Sequence, residues 1–226
     1  MQHHHPTDYI DIYCERLDGS FWAEPINAIT NIAFVLAAIY GLYLAIHHKK
    51  MTPLTAILIF LTAAIGIGSF LFHTYAQPWA ATADVTPIWL FVLTYVIATC
   101  ERYLHLPPLR SLINIILLLI AIAALTAGLF ALPIDLSFMN GSEQYLPALV
   151  AIVAFLFILK RADHPATPYI FAVLCIFALS VTFRTLDSHL CHHTPFGTHF
   201  LWHSLNGLMF AVLLRGMILH GTDRKT

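Results

Sequence analysis

His199 and His203 bound the segment HFLWH, four residues apart. On a helix two side chains at this spacing project from one face, about one turn apart. Two imidazoles so placed suit two nitrogen ligands on one metal ion. The chain carries 14 histidines, so such a pair also arises by chance, and alone it leaves a metal site and a plain helix face both open. His73, at the end of SFLFH, offers a third imidazole. Three histidines are a sufficient protein ligand set for catalytic zinc, with the fourth position left to water. Zinc lowers the pKa of such a water to about 7 and polarises a carbonyl. Asp84, eleven residues after His73, has the chemistry of a base or proton shuttle beside that metal. Ser69 stands one turn before His73 on the same helix face. Its hydroxyl suits the support of a developing oxyanion, or else simple helix packing, since small polar residues are common there.

The elements that must position these groups are membrane helices. The chain has 226 residues, of which 59% are hydrophobic and 10% charged, and its mean hydropathy is +0.76. Soluble proteins average about 45–50% and about 25%, so too little charge is present to cover a water-facing surface. A net charge of −1 with 11 Lys plus Arg excludes a nucleic-acid binder. The aliphatic and aromatic content excludes a disordered chain, and four cysteines exclude a disulfide-stapled mini-domain. A spanning helix needs about 20 mostly apolar residues. Seven segments qualify: Asn27–Ile46, Leu54–His73, Thr82–Cys100, Leu112–Leu132, Tyr145–Leu159, Pro168–Thr185 and His199–Leu219. The runs are continuous and rich in Leu, Ala and Ile, which favours helices over the alternating strands of a β-barrel. The expected architecture is an all-α membrane protein. It comprises an acidic arm over residues 1–26, a seven-helix transmembrane bundle over 27–221 and a short tail over 222–226. The first 26 residues are polar and acidic and do not read as a cleavable signal peptide.

Positive charge orients such a bundle. Arg16 and Arg184 fall on the side of the N-terminus. Lys49, Lys50, Arg102, Arg110, Lys160, Arg161, Arg215, Arg224 and Lys225 fall on the other. The N-terminus is therefore expected outside or in a lumen, and the C-terminus in the cytoplasm. His73 ends the second span, Asp84 lies in the first turn of the third and His199/His203 begin the last, so all four come to one leaflet. Ionisable groups inside spans are costly and functional by default. Asp11, Glu15, Asp18 and Glu24 precede the first helix. Hard oxygen ligands suit calcium, but a solvated acidic arm, or Glu24 as a helix N-terminal charge, is the simpler expectation from the residues alone. Arg184, in FRTLD, stands beside an acid, Asp187; a structural ion pair is its expected role, with a lipid headgroup contact as the alternative. Trp22, Trp79, Trp89 and Trp202 are expected in an interfacial belt. The His3–His5 run carries no weight.

Taken together, the motifs resemble the alkaline ceramidase family, part of a wider group of seven-span metal hydrolases that includes the adiponectin-type receptors. YCER at Tyr13–Arg16 and AEPINAITN at Ala23–Asn31 resemble its Trp-Cys-Glu and Ala-Glu-x-x-Asn-x-x-x-Asn signature. SFLFH with Asp84 eleven residues on, and HFLWH, resemble its remaining motifs. The resemblance implies that His73, His199 and His203 bind zinc and that Ser69 and Asp84 assist water attack on an amide carbonyl. It implies cleavage of ceramide to sphingosine and a fatty acid. It also implies calcium on the N-terminal acids, with Glu15 and Glu24 in the matching motifs and Tyr13 where the family has Trp. The family's Asn after the Glu is missing, with Leu17 and then Asp18 nearby, so Asp11 and Asp18 are candidate replacements, not transferred ligands. Cys14 lies at the family's Cys position, and a Cys14–Cys191 disulfide is compatible with an oxidising compartment. Cys100 and Cys175 are expected free.

The expected function is an intramembrane zinc amidase whose partner is a membrane lipid, ceramide or another N-acyl lipid. A receptor-like protein with a structural zinc is the second reading; Ser69 and Asp84 argue against it, since a structural site needs neither. A transporter, with ionisable groups on both leaflets and paired repeats, is the third, and these groups gather at one leaflet.

Overall fold

A computed structural model describes residues 9–222 apart from 132 and 134. The His3–His5 run, the Leu132 end of the fourth expected span, and Arg224 and Lys225 lie outside the described residues. The elements are α1 (Pro25–Thr30), α2 (Ile32–His47), α3 (Pro53–Tyr75), α4 (Pro78–Arg102), α5 (Pro108–Ala131), α6 (Leu146–Arg161), α7 (Thr167–Leu190) and α8 (His199–His220). Two short 3₁₀ turns, Ser137–Met139 and Ser142–Tyr145, precede α6, and no strand occurs among the described residues. α1 and α2 form one span interrupted at Asn31, so seven helices are long and apolar enough to cross a membrane. The all-α, seven-span expectation is met.

Proline at the first helical position starts α1, α3 and α4, where its missing N–H costs nothing and its fixed φ suits the helix. Thr52 caps α3 by accepting from the Thr55 N–H at 3.2 Å. α3 ends at Ala76, in the left-handed conformation at φ 49°. α4 begins four residues earlier than the apolar pattern suggests, because Pro78 starts the helix ahead of the apolar run. Asp84 therefore sits in the second turn of α4, not the first. α7 runs past Thr185 to Leu190, which carries Asp187 onto the helix.

α2, α3 and α8 pack together, with α4 beside α3 and α7 beside α8. Phe34, Leu58, Ile65, Phe91, Phe210, Leu214 and Met217 form the buried core between them. α5 is peripheral: of its described side chains only Ser111 is buried. α3 and α4 approach most closely at Gly68, where a Cβ would collide with the Ala83 carbonyl and come within 3.1 Å of the Asp84 Cα. Small residues permit such backbone contact in a membrane, where apolar burial drives no association.

The arm over residues 9–24 folds back across one end of the bundle. Ile10 N–H donates to the Ala76 carbonyl at 2.7 Å, and a Cys14–Cys191 disulfide, Cα–Cα 5.3 Å, ties the arm to the segment between α7 and α8. Cys100 and Cys175 are free, as expected. Trp22, Trp79 and Trp89 are exposed, but Trp202 is not in the belt. It packs inside the bundle against Tyr145 and Phe177, at ring distances of 4.8 and 6.1 Å.

Candidate active site

His73 comes from the last turns of α3, and His199 and His203 from the first two turns of α8. All three are about 1% exposed. Ring centroids lie 4.6 Å apart for His73–His203 and for His199–His203, and 5.2 Å for His73–His199. One nitrogen from each ring lies within 4.8 Å of the other two, and among the described residues this is the cluster able to hold a metal ion.

The other ring nitrogens show how each imidazole is set. His73 Nδ1 lies 2.6 Å from Glu24 Oε2, so its N–H donates to the carboxylate and Nε2 is left with its lone pair free. Such carboxylate–histidine contacts fix the tautomer and raise ligand basicity. Thr30 Oγ1 donates to the Ile26 and Asn27 carbonyls at 2.8 and 3.0 Å. It can then only accept from His203 Nδ1, 3.2 Å away, which again frees Nε2. His199 Nδ1 is buried with no hydrogen-bond partner. An orphaned buried nitrogen is costly, and His199 is the one imidazole of the three whose Nδ1 the protein leaves without a partner. The residues present thus fit a three-histidine zinc site.

α8 is aimed by a residue that sequence reasoning misplaced. Asp187, fully buried on α7, accepts from the Thr198 and His199 N–H groups through Oδ1 at 2.7 and 2.9 Å, and from the Cys14 N–H through Oδ2 at 3.1 Å. One carboxylate caps the helix bearing two of the histidines and pins the arm beside it. Gly197 makes room: its φ is +59°, and a Cβ there would collide with Asp187 and approach the Cys14 Cβ to 2.8 Å. Asp187 therefore does not pair with Arg184. The Arg184 guanidinium donates to the Asn140 carbonyl and Ser142 Oγ, both at 2.9 Å. It also lies over the Tyr145 and Trp202 rings at 5.2 and 5.9 Å, a cation–π arrangement. The two lie one turn apart on α7, but each is taken by its own partners, Arg184 by Asn140 and Ser142 and Asp187 by Thr198, His199 and Cys14.

Asp84 sits across from His73, close enough for their charges to interact, and the Ser69 hydroxyl hydrogen-bonds its carboxylate. Ser69 and His73 are both buried on one face of α3, as their spacing predicts. Ser69 is thus within reach of the Asp84 carboxylate, a position suited to orienting the acid. Tyr13 stacks on His199 with ring centroids 3.6 Å apart and lies 5.4 Å from His73. Its carbonyl accepts from the Arg16 N–H at 3.2 Å. Burial pushes its phenol above the usual range, against the pull of Arg184, with Tyr145 and Asp84 also near enough to act on it. The phenol therefore stays protonated as a donor.

Of the acids expected around calcium, Glu15 and Glu24 come together at Asn27, while Asp11 and Asp18 stand exposed. Glu15 Oε1 and Oε2 accept from the Ile26 and Asn27 N–H groups at 2.7 and 2.8 Å, capping α1. Burial raises the Glu15 pKa even so. Glu24 Oε1 accepts from Arg16 Nε, and Oε2 from Asn27 Nδ2 at 3.0 Å as well as from His73. Burial pushes Glu24 upward, but the His73 and Asn27 bonds and the Arg16 charge together hold it below the usual carboxylate range. Asp11 and Asp18 are exposed; Asp18 Oδ1 accepts the Ser20 N–H at 2.8 Å, and the Ser20 side chain together with this N–H lowers the Asp18 pKa.

A helical membrane bundle with three buried, metal-competent imidazoles and an adjacent serine–aspartate pair defines a class of intramembrane hydrolase. The family model for Ceramidase matches residues 9–224, nearly the whole chain, and the chain belongs to the Ceramidase family. Membership makes it a ceramidase-type amide hydrolase acting on lipid. No curated protein matches the chain.

Proposed function

We propose that the protein is a zinc-dependent amidase that cleaves ceramide, or a closely related N-acyl lipid, into a free amine and a fatty acid. The observation that carries this is the convergence of His73, His199 and His203 beside Asp84 in a chain of the Ceramidase family. Zinc held by the three histidines would supply Lewis acidity toward the carbonyl and the water. Asp84 takes a proton from the attacking water and passes it to the leaving nitrogen, so the C–N bond breaks to an amine and a carboxylic acid. Ser69 holds the Asp84 carboxylate in place through that exchange. The Tyr13 phenol, kept protonated by burial, is the donor available to charge developing on the carbonyl oxygen. Glu24 and Thr30 fix the His73 and His203 tautomers, and the disulfide-tied arm keeps bulk water from the cluster. The charge distribution supports a site facing the outer or lumenal side.

The test is metal analysis combined with lipid mass spectrometry. Purified protein should hold about one zinc per chain, and His203→Ala should lose it. A panel of N-acyl lipids, with and without chelator, identifies the substrate. Full zinc occupancy in His203→Ala would remove His203 from the ligand set, and no chelator-sensitive turnover of any N-acyl lipid would defeat the amidase reading.

A further inference from the structure

The resemblance implies calcium in the arm, and calcium takes about 6–8 oxygen ligands. In the arm every carboxylate oxygen of Glu15 and Glu24 already accepts from an N–H group, and Asp11 and Asp18 stand exposed, away from these two buried acids. What lies at the centre of the arm is a guanidinium. The Arg16 side chain is fully buried. Nε donates to Glu24 Oε1 at 2.5 Å, Nη1 to the Asp18 carbonyl at 3.1 Å and Nη2 to the His73 carbonyl at 2.8 Å. The Tyr9 ring covers it at 5.9 Å.

We propose that the Arg16 guanidinium takes the structural place of a divalent cation in this chain, locking the arm onto α3 and positioning His73 through Glu24, so that the protein needs no calcium. The chemistry is that of an oxygen-rich pocket that needs one central positive charge. A planar fork with fixed N–H directions gathers a carboxylate and two carbonyls as an ion would. One atom of the fork sets the His73 backbone, while its carboxylate partner sets the His73 ring. Arg16 is therefore a positioning residue, two bonds removed from the metal-binding nitrogen, and this part of the proposal rests on His73 being a zinc ligand.

The full-length, zinc-loaded protein is titrated with calcium chloride in zinc-containing buffer, following radioactive calcium binding, Tm and turnover. No saturable binding below millimolar calcium, and no change in Tm or turnover, is expected. Stoichiometric binding that raises either would overturn the proposal. In parallel, zinc affinity is measured by dye competition in Arg16→Ala and Arg16→Lys. Arg16→Ala should bind zinc about 10–100-fold more weakly, the usual effect of losing a group that orients a metal ligand. Arg16→Lys should recover part of this, and millimolar free guanidinium should restore Arg16→Ala. A folded Arg16→Ala with wild-type zinc affinity would overturn it. If Arg16→Ala does not fold, the calcium titration of the wild type still decides. A wild-type chain that binds no zinc would defeat the metal reading instead, and leaves the calcium result to decide Arg16's part.

Discussion

At the scale of single residues the site separates holding from reacting. Glu24 and Thr30 use up the Nδ1 protons of His73 and His203, which leaves the Nε2 atoms for a metal. Asp84 touches no ring nitrogen and is held by Ser69. Removing its charge should therefore leave the metal in place and stop the proton transfer. Asp84→Asn is expected to lower turnover of a fluorescent ceramide by about 10²–10⁴-fold, the usual worth of a positioned acid–base group, with zinc content unchanged. Loss of zinc in that variant would make Asp84 a ligand, and undiminished turnover would leave a structural metal as the better account. The histidines, Ser69 and Asp84 were legible in the sequence because helical spacing and topology placed them before any packing was known. Arg16 and Asp187 were not. Their partners lie 57 residues away for the His73 carbonyl and 173 for the Cys14 N–H, and no local pattern announces contacts of that range.

At the scale of elements, two contacts decide where the reacting groups stand. The first is the approach of α3 to α4 at Gly68. Gly68→Val would force the helices apart at the turn carrying Asp84 while leaving α3 and α8 in register. Turnover should fall about 10²-fold, as a misplacement of about 1 Å can cause, with zinc retained; unchanged turnover would show that Asp84 need not be held so closely. The second is the Asp187 cap on α8. Asp187→Ala strips three N–H groups of their acceptor, the buried one of His199 and the part-buried ones of Thr198 and Cys14, at about 1–3 kcal/mol for the buried group and less for the others. A large fall in Tm is expected, with a smaller one for Asp187→Asn, which keeps an acceptor oxygen. Equal Tm values for Asp187→Ala and wild type would remove the cap from the account. The spans themselves were plain in the apolar runs. Their ends were not, because Pro78 and Pro108 start helices ahead of the hydrophobic stretch and α7 continues past its end through Asp187, where partners within the fold replace lipid.

At the scale of the whole molecule, two unrelated features argue for the same orientation. Eleven positive charges divide two against nine between the ends of the bundle, and the sparse end carries the Cys14–Cys191 disulfide. Retention of Lys and Arg in the cytoplasm during insertion would account for the first, and an oxidising compartment for the second. The loop preceding α6 belongs to the sparse end, because Arg184 at that end of α7 binds the Asn140 carbonyl and Ser142. The turn following α6 belongs to the other. Gln144 and Ala162 are exposed at these two places. In a chain whose free Cys100 and Cys175 are changed to Ala, a membrane-impermeant maleimide applied to intact cells, or to sealed vesicles of lumen-inside orientation, separates the two faces. For a plasma-membrane protein, Gln144→Cys should label at once and Ala162→Cys only after permeabilisation; for sealed internal vesicles the order reverses. Labelling of both cysteines from one side would break the seven-span topology. The opposite order would place the histidine cluster on the cytoplasmic side, where a disulfide at its rim would not persist and the arm would be held by Arg16, Asp187 and the Ile10–Ala76 bond alone.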